Sequence, residues 1–172
     1  MSVMMDTILN LGLNDKIVVE IHTKIGNERF AYDSYRRFII QMFGDIVMEV
    51  PYADFEKVLQ GVKDKVGVKL DNELKIKDFK EVIAGYKKLI NKKKRHEFPQ
   101  DVQERLKQAI HVIFGNNPMA ITYIFINDIP HTRGIAVNIV AKVFSNMGDT
   151  SVSGFAFTPN PATGEKAFFG DI

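Results

Sequence analysis

The sequence predicts an α+β fold in which a helical segment precedes a strand-rich segment. Two patterns carry this prediction. Apolar residues recur at helical spacing from about Phe30 to Phe114, and β-branched and aromatic residues fill short stretches after Asn117. The chain has 172 residues, of which 45% are apolar and 26% charged. That composition is typical of one globular domain, or of a domain with a small inserted subdomain.

Four helices are predicted, each from apolar residues that share one face. Gly67 and Gly115 are the expected stops of the second and fourth helices, and Pro99 is the expected start of the fourth. The third runs out into a basic segment that ends at Arg95, where positive charge suits a helix C-terminus. The four apolar sets are Tyr35, Phe38, Ile39, Met42 and Ile46; Phe55, Val58, Leu59, Val62 and Val66; Ile76, Phe79, Val82, Ile83, Tyr86 and Ile90; and Val102, Leu106, Ile110 and Ile113.

Strands are predicted in the last third of the chain. Ala120–Ile126 has the composition of a buried strand, and Gly134–Phe144 alternates between apolar and polar residues. Ser153–Thr158 and Lys166–Phe169 are predicted to form a hairpin, because the residues between them are rich in Pro, Asn and Gly.

Composition excludes several classes of function. The chain contains no cysteine, so disulfides, thiolate nucleophiles and cysteine-ligated zinc are excluded. The four histidines have no metal-ligand spacing, and we expect no metal site. Neither a nucleophile elbow around Ser153 nor a Walker-type phosphate loop is present. No apolar run is long enough to span a bilayer and no secretory signal is seen, so we expect no membrane partner and a cytoplasmic location.

A basic run extends from Lys92 to Arg95, shortly after Lys87 and Lys88. Such a run is compatible with binding to nucleic-acid phosphates. A solvated helix end explains the same residues, and no aromatic residues are interleaved with them. With a formal net charge of only +2, we expect no nucleic-acid partner.

Two further segments have the composition of anion-binding loops. They are Met4–Asp15 and the stretch from Gly148 to Glu165, where small and hydroxyl-bearing residues leave backbone N–H groups accessible to phosphate oxygens. Ordinary turns would have the same composition, so chemistry alone leaves both interpretations open.

Several runs, in order along essentially the whole chain, resemble the nucleotide-binding region of the pyruvate, phosphate dikinase family of PEP-utilizing enzymes. The longest of them is Arg29–Phe38, read RFAYDSYRRF. The others are Met4–Asp15, Glu97–Gln100, Asn127–Pro130, Ala136–Asn138, Val143–Gly148, Phe155–Thr158 and Asn160–Glu165.

The resemblance implies a partial ATP-grasp-like region, made of residues 1–29 and 115–172, with a helical subdomain at residues 30–114. It also implies ATP and Mg²⁺ as cofactors, with the β-phosphoryl group of ATP passed to a histidine on another domain. Met4, Met5, Asp6 and Thr7 correspond to a loop near the nucleotide phosphates. No catalytic or metal-binding residue is assigned. Asn138 and Thr158 are polar residues at predicted strand ends. They could face the nucleotide cleft or serve a turn, and both interpretations stay open.

The chain also departs from the family pattern. The family's Pro-Gly pair is lost between Val3 and Met4, and Met119 and Pro159 stand where arginines are usual. Each arginine lost near a triphosphate removes a charge-assisted hydrogen bond. We therefore expect this chain to be a segment of the ATP-binding domain that does not catalyse the full dikinase reaction alone. The alternative is a non-catalytic module that docks with other pieces of a split dikinase, or that self-associates.

Overall fold

The computed structural model describes residues 7–115, 124–128, 130, 136–144, 147 and 150–171, with side chains described for all of these except residues 40–42. The chain divides into two compact units, residues 1–140 and residues 141–172. The described residues are mostly helical with one small two-stranded sheet, which is consistent with the predicted α+β class.

The described residues of the first unit form the α-helices α1 (Asp15–Ile25), α2 (Glu28–Arg37), α3 (Tyr52–Val66), α4 (Ile76–Lys94) and α5 (Val102–Phe114), besides a short helical turn at residues 124–126. Between α2 and α3 lies a π-helix, Phe38–Val47, and a short 3₁₀ turn, Asp71–Glu73, precedes α4. The sequence does not predict α1, because its β-branched residues have weak helix propensity. Its apolar residues Ile17, Val18 and Ile21 nevertheless share one helical face.

Polar caps fix where several helices begin. The Asn14 side chain accepts hydrogen bonds from the backbone N–H groups of Lys16 and Ile17 at the start of α1. Asp101 accepts from the N–H of Glu104 at 2.7 Å and caps α5, which begins at Val102, three residues after the predicted Pro99. Gly67 ends α3 with φ of +75°, as predicted, because glycine adopts this left-handed conformation without strain.

Aromatic and aliphatic side chains from α1–α4 and the π-helix form one core. The predicted faces of α3 and α4 are confirmed, since Phe55, Leu59, Phe79, Val82 and Tyr86 are buried. Edge-on ring contacts organise this core, with ring centroids of Phe55 and Tyr86 5.2 Å apart. The remaining core residues include Tyr35, Phe38, Ile39, Phe43, Leu74 and Ile90.

The predicted first and fourth helices need correction. The apolar set from Tyr35 to Ile46, predicted as one helix, spans two segments, α2 and the π-helix. The prediction missed this division because apolar spacings of three and four residues do not reveal where a π-helix adds a residue to each turn. In α5 the buried residues are Arg105 and Ala109, whereas the four predicted apolar residues are only half-buried. A sequence rule that places arginine outside the core misplaces this face.

The predicted strands are confirmed only in the hairpin. Residues 124–126 form a helical turn rather than a strand, and residues 136–144 have no regular structure; residues 120–123, 134 and 135 lie outside the described part of the chain. A strand requires a hydrogen-bonded neighbour, and none of the described residues pairs with 136–144. The exposure of Ile139, Val140 and Val143 follows from that lack of pairing.

The second unit is built on the hairpin. Strands β1 (Phe155–Phe157) and β2 (Phe169–Asp171) are antiparallel, with Ala156 opposite Gly170. The first is shorter than predicted, and the second begins at Phe169, the last residue of the predicted strand. In the connection, the N–H of Asn160 donates to the carbonyl of Glu165 at 2.9 Å, and Gly164 has φ of +73°. The turn-rich composition predicted from the sequence therefore corresponds to a real turn.

Candidate functional site

Of the four residues expected near a phosphate, only Thr7 lies within the described part of the chain. Thr7 is exposed and belongs to no helix or strand, whereas Met4, Met5 and Asp6 lie outside the described residues. The polar residues Asn138 and Thr158 are also exposed.

The segment after Thr7 is fastened to the helical core. The N–H of Leu13 donates to the carbonyl of Asn10 at 2.9 Å, and the Leu13 side chain is buried. The Leu13 carbonyl accepts a hydrogen bond from Nη1 of Arg105 on α5. Residues 10–13 thus form a fixed base from which the chain leads back to Thr7.

Arg105 is an unusual anchor because its side chain is completely buried. Its guanidinium carbon lies 5.1 Å from the ring centroid of Phe38 and 5.7 Å from that of Phe98. Among the described residues, its Nε and Nη2 atoms have no hydrogen-bond partner. Burial lowers the pKa of Arg105 below its ordinary value. The sequence predicted no role for this residue.

A polar cleft of about 510 Å³ opens beside the C-terminal half of α4. We call it the lysine cleft, since three lysines line one side of it. Its lining residues are Lys87, Lys88, Asn91 and Lys92 of α4, with Asp15, Glu97, Phe98 and Gln100.

The opposite wall is held in place by Gln100. The Gln100 Oε1 atom accepts from the N–H of Asp15 at 3.0 Å, and its carbonyl accepts from the Asn14 side chain at 3.0 Å. The start of α1 is thereby joined to the loop before α5. Phe98 is buried beneath this loop and packs edge-on against Phe43, with ring centroids 5.5 Å apart.

Lys87 is fixed inside the lysine cleft by two neighbours. Its ammonium group forms an ion pair with Asp15 and lies 5.5 Å from the ring centroid of Tyr35. The Tyr35 hydroxyl donates to the same Asp15 carboxylate at 3.1 Å. Burial, followed by the nearby Asp15 charge, raises the pKa of Tyr35 above its ordinary value, so the phenol stays protonated and serves as a donor.

A second cleft, of about 560 Å³, lies between the C-terminal ends of α4 and α5. It contains Lys94, Lys107, His96 and His111, with the apolar wall provided by Val47, Met48 and Val112. Lys94 pairs with Glu49 at 3.6 Å. In the part of the chain that the structure describes, no group of three or more histidine, aspartate or glutamate side chains is placed to hold a metal ion.

The run that carries the sequence resemblance, Arg29–Phe38, mostly serves the core. Arg36 is buried and pairs with Asp33 at 2.7 Å and with Asp71 at 3.1 Å. Although burial by itself would lower the pKa of Arg36, hydrogen bonds from its guanidinium to Asp33 and the Asp33 charge raise it. Asp71 also pairs with Lys63 of α3. These contacts join α2 to α3 and to the turn before α4.

No protein-family model matches the chain. Among curated proteins, it is 50% identical over 98% of its length to pyruvate, phosphate dikinase 1, chloroplastic, from Arabidopsis thaliana and to pyruvate, phosphate dikinase from Clostridium symbiosum. It is 47% identical over the same share to pyruvate, phosphate dikinase from Rhizobium meliloti. The chain spans about a fifth of the length of these relatives, covering 18%, 20% and 19% of them.

In the described part of the chain, none of the helices has both the length and the apolar character needed to cross a bilayer.

The similarity predicted from the sequence runs is confirmed by relatives from a plant and two bacteria. Over nearly all of its residues, this chain is homologous to a segment of the pyruvate, phosphate dikinases.

Proposed function

We propose that this chain forms part of the nucleotide-handling region of a pyruvate, phosphate dikinase, a phosphotransferase. The observation that supports the proposal best is the identity of about half of the residues over 98% of the chain to relatives of that name. In this proposal, residues 1–29 and 115–172 belong to an ATP-grasp-like region, and residues 30–114 form its helical subdomain.

The proposed contact with ATP is made by Met4, Met5, Asp6 and Thr7. The fixed base at residues 10–13 supports this assignment, because a phosphate-binding loop needs a rigid attachment to hold its N–H groups in place. The exposed Thr7 hydroxyl is free of the core and suits donation to a phosphate oxygen.

Mg²⁺ fits this proposal as an ion bound through the nucleotide. The described residues hold no cluster of carboxylates or imidazoles of the kind that retains a metal by itself. Mg²⁺ commonly binds through substrate phosphates and one or two carboxylates, and no residue of this chain is assigned as its ligand. When bound, the ion would neutralise phosphate charge, while the chain would supply position and donors.

We infer binding rather than complete turnover for this segment. None of the histidines in the described residues lines the lysine cleft. The alternative of a non-catalytic docking module is not favoured, since the relatives are named as enzymes. Self-association stays a prediction, testable by light scattering.

Titration calorimetry with ATP and Mg²⁺ tests the proposal. The unchanged chain is expected to give a saturable heat, and Asp6→Asn together with Thr7→Val is expected to weaken binding about tenfold through the loss of two polar contacts. Thr23→Val is the control for the threonine change, because among the described residues the Thr23 hydroxyl donates to a carbonyl of its own helix at 2.9 Å. A folded chain that produces no heat at high micromolar concentration would refute the proposal.

A further inference from the structure

The lysines in the C-terminal half of α4 are of two kinds. Lys87, Lys93 and Lys94 have carboxylate partners, which are Asp15, Asp54 and Glu49 in that order. Lys88 and Lys92 are exposed, and neither forms an ion pair with any described residue. The partners are provided by α1, by α3 and by the second residue after the π-helix. The tertiary fold, and not the helix end alone, therefore decides which lysines are neutralised.

Lys88 and Lys92 lie four residues apart on α4 and both line the lysine cleft. Two like charges at this spacing repel and weaken a helix slightly. Favourable interaction of cations with the helix C-terminus explains basic residues in the last turn, such as Lys92. It does not explain Lys88, which is more than a turn further back.

The cleft presents these two ammonium groups together with the Asn91 side chain, on a wall opposite the fixed Asp15 and Gln100. Its volume of about 510 Å³ is within the range of small-molecule sites. Since Asp15 is occupied by Lys87 and by the Tyr35 hydroxyl, the cleft retains a local excess of positive charge on the side of α4.

We propose that the lysine cleft binds a small oligophosphate anion, with Lys88 and Lys92 donating to its oxygens. An anion with several charged oxygens can bridge two ammonium groups, which a single carboxylate does less well. A nucleic-acid backbone fits less well, because binding of that kind relies on many phosphate contacts, whereas only two lysines of the cleft lack an ion-pair partner among the described residues. The proposal does not depend on an ATP site at residues 4–7.

Inorganic tripolyphosphate without Mg²⁺ is the probe, and binding is followed by calorimetry and by backbone NMR shifts. We expect shifts centred on residues 87–92 and 97–100. Lys88→Gln with Lys92→Gln is expected to weaken binding about tenfold. Lys24→Gln with Lys77→Gln is the control, since both lysines are exposed on helices and the change removes the same charge.

A second variant is predicted to act in the opposite direction. Asp15→Asn keeps the side-chain oxygen that accepts from Tyr35 but removes the negative charge from the cleft. We expect tripolyphosphate to bind about threefold more tightly. Glu20→Gln, an equal charge change on the exposed surface of α1, is expected to leave the affinity unchanged.

The outcomes separate this site from the proposed ATP site. Loss of tripolyphosphate binding in the Lys88 and Lys92 variant, with the control unaffected, supports the proposal even where ATP fails to bind. Equal weakening in both lysine variants would show attraction by net charge alone and overturn it. Shifts confined to residues outside the cleft, or tighter binding of a short duplex than of tripolyphosphate, would overturn it as well.

Discussion

The two buried arginines provide a direct test of how this fold handles internal charge. Arg36 and Arg105 are both almost fully buried. Arg36 is paired with Asp33 and Asp71, whereas Arg105 has one carbonyl partner and two aromatic neighbours. Replacing each with methionine, which keeps much of the volume, removes the same charge from two different environments.

We expect Arg105→Met to change the free energy of unfolding by less than about 1.5 kcal/mol. The Leu13 carbonyl loses its donor, at a cost of about 1–3 kcal/mol, and the two cation–π contacts add about 1 kcal/mol each. Against this, the variant no longer buries a charge and two guanidinium nitrogens, Nε and Nη2, whose N–H groups lack described partners, a penalty of several kcal/mol. These opposing terms are of similar size.

Arg36→Met is expected to destabilise the chain by about 2–4 kcal/mol. The change leaves Asp33 with only the exposed Arg37 as a partner and deprives Asp71 of one of its two cations. Loss of one member of a buried pair costs about 3–5 kcal/mol, and the 40% exposure of the Asp71 side chain reduces that figure by allowing hydration.

Urea unfolding followed by circular dichroism at 222 nm measures both variants, with Arg105→Ala as the control for lost packing. The alanine variant leaves a cavity against Phe38 and Phe98 and is expected to cost about 3–5 kcal/mol. If Arg105→Met proved as destabilising as Arg105→Ala, the charge of Arg105 would be essential, and the assignment of its role to packing and one hydrogen bond would be wrong.

Two further predictions concern helix packing and acid sensitivity. A Cβ atom at Gly85 would lie 2.6 Å from Cγ1 of Val58, while one at Gly61 would meet nothing within 4 Å. Gly85→Ala should therefore lower the free energy of unfolding by about 1–2 kcal/mol, and Gly61→Ala should raise it by about 0.5–1 kcal/mol. Thermal unfolding measures both. Burial would raise the pKa of Asp71, but the hydrogen bond from Lys63 lowers it below its ordinary value. The stability that this carboxylate provides is therefore fully present above the ordinary carboxyl pKa. It is lost as the pH falls through the lowered value. Asp71→Asn should flatten the loss of stability below about pH 4 in acid titrations, and an unchanged acid profile would contradict this assignment.

The sequence predicts those parts of the fold that depend on local pattern. Helices α3 and α4 have regular apolar spacing, and Gly67 marks the end of α3, so sequence reasoning finds both. The π-helix is missed because its apolar residues keep nearly the same spacing as an α-helix. Residues 136–144 show the converse, since an alternating pattern predicts a strand that forms only where a neighbour pairs with it.

The candidate sites depend on contacts that sequence spacing does not reveal. The basic run was visible in the sequence, but which of its lysines are neutralised depends on Asp15 and Asp54, which lie 72 and 39 residues away from their partners. Arg105 was overlooked because its bond to Leu13 spans 92 residues. The Met4–Thr7 loop was assigned by resemblance alone, and its contact with ATP stays a prediction.

The distribution of charge on α4 adds an argument that identity to the relatives does not provide. Residues of Arg29–Phe38 that match the family are largely buried or ion-paired, so their presence is explained by the core and reveals little about chemistry. Lys88 and Lys92 contribute nothing to that core and repel one another across one helical turn. The fold neutralises Lys87, Lys93 and Lys94 through distant carboxylates, yet no described residue forms an ion pair with these two lysines beside the cleft. This surface is therefore suited to an external anion. The unpaired lysines at this concave surface therefore supply a reason for anion binding that is independent of the matching runs.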